Sequence, residues 1–298
     1  FFFKQKTAYE ILTCDWSSDV CSSDLPELRW RVDATAWLAI IGAAPLFLRQ
    51  MRHKASYGIA FLVIYPLLAY WLLHGGFLGL ETVPTSRWGG LMLTIVIAAV
   101  GIAGALPLGI LLALGRRSDM PAIRVLCITF IEFWRGVPLI TVLFMSSVML
   151  PLFLPEGMNL DKLMRAMVMV VFFEAAYIAE VVRGGLQAIP KGQYEAAAAM
   201  GLGYWRSMIL VILPQALKMV IPGIVNTFIA LFKDTSLVII IGLFDFLNSI
   251  KRATSDPAWL GMSTEGYVFA ALVYWIFCFG MSRYSMHLER KLDTGHRN

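Results

Sequence analysis

Long apolar runs alternate along this chain with short segments that collect its charges. A helix needs about 20 mostly apolar residues to cross a bilayer. Between Lys54 and Glu81 stand 26 uncharged residues, and between Arg87 and Arg116 stand 28. Each run predicts one spanning helix. Residues 123–150 predict a third, with Glu132 and Arg135 inside it, and residues 163–182 a fourth, interrupted by Glu174 and Glu180. Ser207–Phe232 predicts a fifth, carrying Lys218 and bent by Pro214 and Pro222. Gly266–Ser282 predicts the last, ahead of a basic tail. Two runs are shorter: Ala34–Leu48 has 15 uncharged residues and Thr235–Phe244 has 10. Ten residues cannot cross, so a broken or re-entrant piece is expected there.

The charges orient these spans. Loops 49–56, 115–124 and 183–206 and the tail 283–298 hold 13 Lys and Arg residues, which the positive-inside rule assigns to the cytoplasm. The intervening loops hold fewer: Arg87 in 75–88, Lys162 in 151–162, Lys251 and Arg252 in 248–265. The alternation requires 34–48 to cross and 235–244 not to, which leaves residue 26 outside. Five of the nine Trp residues, Trp71, Trp88, Trp134, Trp205 and Trp275, fall near predicted span ends, as an interfacial aromatic belt expects.

Composition agrees with the pattern. Of 298 residues, 58% are hydrophobic and only 15% charged, where a soluble domain carries about 25% charge. Mean hydropathy is +0.70. A soluble globule of this size cannot bury so much apolar surface. The thin, spread charge of +5 excludes disorder and a nucleic-acid module.

Residues 1–25 differ from the rest. FFFKQKTAYEILTCDWSSDVCSSDL has a net charge of −2, leaving +7 on the other 273 residues. No apolar stretch follows a basic one, so it is no secretory leader. It resembles translated sequencing-adapter read-through and is set aside as an artefact. The awkward outside start at residue 26 then fits a chain whose native beginning, with a further helix, has been overwritten. Without Cys14 and Cys21, only Cys127 and Cys278 remain, which predicts neither a disulfide framework nor a metal site.

The segment Arg183–Pro214 is the most informative. Pro190 can open a helix, Gln193–Met200 is rich in Ala and helix-forming, and Gly201 and Gly203 can close it. A short helix on the cytoplasmic surface is expected, presenting small side chains. It could be a plain amphipathic connector or could enter a partner's groove. The spacing favours the second: Glu195-Ala196-Ala197, three residues, Gly201, nine residues, Val211, one residue, Leu213-Pro214. This resembles the Glu-Ala-Ala loop of ABC-importer permeases, with Val211 where Ile is usual. Ala176–Gly185, Gln187–Gln193, Lys233–Leu237 and Ile131–Leu139 resemble the polar amino acid branch of that family. Ser86–Met92 and the extra N-terminal spans resemble its general L-amino acid permeases.

The resemblance implies an all-α integral membrane protein, a polytopic helical bundle. Residues 26–84 would supply extra N-terminal transmembrane helices. Residues 85–287 would form a five-helix permease core with coupling loop 183–214, and 288–298 a basic cytoplasmic tail. In this family the 190–206 helix would be a coupling helix that docks on an ATP-binding subunit, and Glu195, Ala196, Ala197, Gly201, Leu213 and Pro214 would serve that coupling. The implied partners are that ATPase, a second permease subunit, a periplasmic substrate-binding protein and membrane lipid. The implied location is the bacterial inner membrane. ATP and Mg would sit on the partner, since this chain has no G-x-x-x-x-G-K-[ST]. No catalytic motif and no metal-ligand spacing is present either, with His only at 53, 74, 287 and 296.

Ionisable groups inside a bilayer are costly and are candidates for function. Glu132 and Arg135 are three residues apart, as are Glu180 and Arg183, so each pair shares a helix face. They can neutralise each other, or line a gate or cavity. Gly136 and Pro138 should break the helix beside Arg135, and broken helices expose dipoles to a zwitterion. Lys233-Asp234 can be a boundary turn or part of a substrate cavity. Lys218 can snorkel to headgroups, and Glu174 carries no assignment. The intramembrane charges alone would also suit an ion-gradient-driven transporter or channel.

Overall fold

The computed structural model describes residues 29–47, 54–76, 80–85, 88–153, 155, 160–259 and 261–292. The segment 1–25, Arg49, Arg52, Arg87 and Arg297 lie outside them. All regular structure among the described residues is helical. Two N-terminal helices, α1 (Arg29–Phe47) and α2 (Lys54–His74), precede α3 (Gly90–Arg116), α4 (Pro121–Gly136) and α5 (Leu139–Val148). Then come α6 (Lys162–Ala188), α7 (Lys191–Ala199), α8 (Leu213–Asp234), α9 (Phe246–Ala253) and α10 (Ser263–Leu292).

Among the described residues, three stretches are long and apolar enough to cross a membrane: Gly90–Arg116, Tyr204–Ile241 and Ser263–Leu292. The third predicted span is not straight. α4 and α5 meet at an angle of 100° across Val137-Pro138. Proline disfavours helical geometry in the residue before it, and Val137 is accordingly extended at φ −110, ψ 132. The second short run continues α8 and is not the broken or re-entrant piece expected of it. Thr235–Ile241 is a 3-10 continuation of α8 and ends at Gly242, which takes the left-handed conformation at φ 76. It lies within the single candidate span Tyr204–Ile241.

α3 and α6 cross at the centre of the bundle. The contact depends on a missing side chain: a Cβ at Gly109 would stand 2.7 Å from the Ile178 side chain and 2.9 Å from the Ala175 carbonyl. Small residues at such crossings let backbones approach closely in lipid. Ala105, Ala113, Ala175, Ile178 and Ala179 are wholly buried around it. α6 also anchors its neighbours. Buried Arg165 donates to the Ser146 and Ser147 carbonyls at 3.2 and 3.0 Å, capping the C-terminal end of α5 with a cation.

At the opposite end from the α7 loop, Asp245 pins α9. It accepts from the Leu247 and Asn248 backbone N–H groups at 3.1 and 3.3 Å, from the Asn248 side chain, and from the Tyr274 hydroxyl at 3.3 Å. Burial pushes its carboxyl above the usual range despite these donors.

Candidate functional site

α7 packs one side on the body of the protein and leaves the other exposed. Pro190 occupies its N-cap at φ −59, ψ 142, one position before the helix that it was expected to open. The Pro190 carbonyl accepts the Gln193 N–H at 3.0 Å. Ala197 is buried against the body of the protein, while Gln193, Glu195, Ala196, Ala198 and Ala199 are exposed. The C-terminal end is a complete Schellman closure. The Gly201 N–H reaches the Ala198 carbonyl at 2.9 Å and the Leu202 N–H reaches the Ala197 carbonyl at 3.2 Å. Gly201 has φ +72, and a Cβ added there would touch nothing within 4 Å. Gly203 does not help to close α7: it is the N-cap of the next turn, at φ −66, ψ 163. Its carbonyl accepts the Ser207 N–H at 2.9 Å.

The return into the membrane is irregular for a definable reason. Pro214 has no N–H to donate, and immediately before it Met208–Ile212 is π-helical. The Leu213 N–H bonds the Met208 carbonyl, five residues back. A π-bulge absorbs the misfit without breaking the helix. Leu213 is half-buried and Pro214 exposed at this junction.

Glu132, Arg135, Glu180 and Arg183 come together, with one member that sequence reasoning had read only as a loop cation. Arg116, in the last turn of α3, donates to Glu180 at 2.7 Å and to Glu132 at 2.9 Å. Glu180 also holds Arg183 at 2.8 Å and lies 3.8 Å from Arg135. Glu132 and Arg135, which share a helix face, are 4.0 Å apart. Arg135 lies over the Tyr177 ring at 5.8 Å. Three cations thus surround Glu180, and the cluster ties α3, α4 and α6. No spacing rule could find Arg116, because it pairs across 64 residues of chain.

Lys233 and Asp234 stand apart from this cluster. They end α8, with Lys233 exposed and Asp234 half-buried, and neither forms an ion pair among the described residues. Glu174 is buried on α6 outside the cluster, and Lys218 is exposed. Among the described residues no three His, Cys, Asp or Glu could share a metal ion.

Residues 105–294 match the family of binding-protein-dependent transport system inner membrane components. The chain is 67% identical over 267 residues to the inner membrane amino-acid ABC transporter permease protein YhdY of Escherichia coli strain K12. That match covers 90% of this chain and 73% of the relative. It is 56% identical over 221 residues to the glutamate/glutamine/aspartate/asparagine transport system permease protein BztC of Rhodobacter capsulatus. There the match covers 74% of this chain but only 51% of BztC. A crystal structure of an amino acid ABC transporter with histidines aligns at TM-score 0.59 and 28% identity. It covers 68% of this chain and 92% of that one. The MetNI methionine ABC transporter aligns at TM-score 0.51 and 22% identity, a likeness of fold. The chain belongs to the ABC transporter permease family. It is a multi-pass inner-membrane transport component and not an enzyme, and its family works with partner subunits that include an ATPase.

Proposed function

We propose that this chain forms half of the pathway of an ATP-driven importer of L-α-amino acids, and that α7 is its coupling helix. A separate nucleotide-binding subunit, with ATP and Mg, would receive α7. A second permease chain would complete the pore, and a periplasmic binding protein would deliver cargo. The observation that carries the reading is the α7 surface. Glu195, Ala196 and the Gly201 closure are exposed and fixed in shape, with the large apolar side chains of Met200, Tyr204 and Trp205 exposed beside them, which suits docking against a partner's groove. ATP can drive the cycle only through its higher affinity for the closed state of its own subunit, a difference that α7 would pass to the membrane helices. Leu213 and Pro214 would carry that motion into α8.

Glu132, Arg135, Glu180 and Arg183 would form an inner gate in this scheme, with Lys233 and Asp234 as candidates for the cargo's carboxylate and amine. The names of YhdY and BztC support amino acids as cargo. Purification of the chain in mild detergent should bring down a Walker-motif ATPase. Uptake of labelled amino acids into vesicles should need ATP and survive an uncoupler. Uptake that persists without ATP and collapses with the uncoupler overturns the reading in favour of a gradient-driven carrier.

A further inference from the structure

Arg117 and Tyr194 are tied to one backbone carbonyl on a third helix. Arg117 is the C-cap of α3. Its Nη1 donates to the Leu186 carbonyl at 3.0 Å and to the Tyr194 hydroxyl at 3.1 Å. The Tyr194 hydroxyl donates to the same carbonyl at 3.2 Å, and the Arg117 guanidinium lies over the Tyr194 ring at 5.6 Å. Leu186 is in the last turn of α6, where helix carbonyls have no partner within the helix. A cation there also sits at the negative ends of two helices, α3 and α6. Tyr194 is one residue before Glu195 on α7, and its ring packs into the core beside buried Leu186.

The neighbouring residue makes the arrangement more than a cap. Arg116 grips Glu180, six residues earlier on α6. The end of α3 therefore holds α6 at two levels: Arg116 in the ion cluster, and Arg117 at the base of α7. On the far side of α7, Gln193 accepts from the Gln215 side chain at 3.1 Å, which ties the helix to α8 as well.

We propose that Arg117 and Tyr194 are positioning residues that make α3 move with the coupling helix, so that motion of α7 reaches the Arg116–Glu180 cluster through rigid contacts. This link rests on the coupling role proposed for α7. A tilt of α7 displaces the Tyr194 hydroxyl against the Leu186 carbonyl of α6, and Arg117, which donates to both, must follow or lose an acceptor. The adjacent Arg116 is carried with it. Without the link, α7 still presents Glu195 and Ala196 to a partner, but α3 is free to lag.

The test uses the complete transporter in proteoliposomes and reads labelled amino acid taken up per ATP hydrolysed. The variants are Tyr194→Phe, which deletes one hydroxyl, Arg117→Gln, Arg117→Lys and the Tyr194→Phe/Arg117→Gln double. The ATPase should remain bound and active in all. Uptake per ATP should fall about threefold to tenfold in Tyr194→Phe and Arg117→Gln, the scale of one or two hydrogen bonds. The double variant should be no worse than the poorer single, since the two residues act as a unit, and Arg117→Lys should recover part of the loss. Normal uptake per ATP in both singles overturns the link. So do losses that multiply in the double, or a loss of bound ATPase in step with a lowered unfolding temperature. A wild-type chain that binds no ATPase overturns the coupling role itself, and the link with it.

Discussion

α7 and the Arg116–Glu180 cluster lie near the same end of the molecule and are both polar, yet their groups are committed differently. Every member of the cluster is engaged inside the chain: Glu180 alone meets three guanidinium groups. On α7, the Glu195 side chain has no partner among the described residues, and a Cβ at Gly192 or at Gly201, in the closure that follows, would meet nothing within 4 Å. A substitution at Glu180, the most enclosed member of the cluster, must therefore disturb the fold before it disturbs anything else. A substitution at Glu195 has little of the fold to disturb, so a functional effect there reports on a partner. The difference separates two kinds of charged residue that a sequence presents alike.

Glu195→Arg gives the largest expected effect and the cleanest use of that contrast. ATP-dependent uptake should fall to background, while the unfolding temperature of the purified chain stays within a degree or two of wild type. A surface substitution away from caps and pairs costs under about 0.5 kcal/mol. A variant that transports normally removes the docking role from α7. One that unfolds early shows that Glu195 was holding the chain together after all.

Glu180→Gln should do the reverse. Breaking a buried ion pair costs about 3–5 kcal/mol. Here the side chain is 17% exposed and its partners 23–36% exposed, so about 2 kcal/mol is expected. Three arginines would be left with Glu132 as the sole carboxylate. A clear drop in unfolding temperature should accompany any loss of uptake. Stability equal to wild type, with changed cargo affinity, would instead make Glu180 a cavity residue whose ion pairs contribute nothing.

How much of this could be read beforehand follows the same division. The helical membrane class was legible because apolar runs of 26 and 28 residues have no other use. The α7 helix was legible because Ala-rich sequence ending at Gly is a local signal, completed within a few residues by the Gly201 closure. The pairs Glu132–Arg135 and Glu180–Arg183 were visible as helix-face neighbours, but Arg116, which makes the shortest contact with both carboxylates, was not. Its contacts depend on how α3, α4 and α6 pack, and on Gly109 letting α3 and α6 approach. Arg117 and Tyr194 were hidden for the same reason, since they meet at a backbone carbonyl, which leaves no trace in the residue pattern. Gly203 was misread because a glycine after a helix can close it or open the next, and only the backbone geometry decides.

Gly201→Ala sharpens the comparison at a smaller scale. The added methyl group meets nothing, so any cost comes from forcing an L-residue into φ +72. That conformation costs about 1–2 kcal/mol for residues other than Gly. A loss of about 1 kcal/mol in stability is expected, with the closing hydrogen bonds weakened and uptake reduced in part. Gly201→Arg adds bulk on the open face to the same backbone cost. Its stability should match Gly201→Ala, while its uptake should fall to background. Equal uptake in the two variants would mean that the open space beside Gly201 faces only water.

Glu132→Gln has the smallest expected effect and tests the cluster from its weak side. Glu132 is 53% exposed, bonds Arg116 at 2.9 Å and lies 4.0 Å from Arg135. An exposed pair contributes about 0–1 kcal/mol, because water screens it and ordering two long side chains costs entropy. Arg116 keeps Glu180 at 2.7 Å when Glu132 is neutral. The unfolding temperature should hardly move, and it should move less still at high salt, where a pair this open is already screened. In the Glu180→Gln background the same change should cost more, because Glu132 is then the remaining acceptor for Arg116. Losses that simply add would show that the two carboxylates serve Arg116 independently, and that the five charges are a set of separate pairs instead of one cluster.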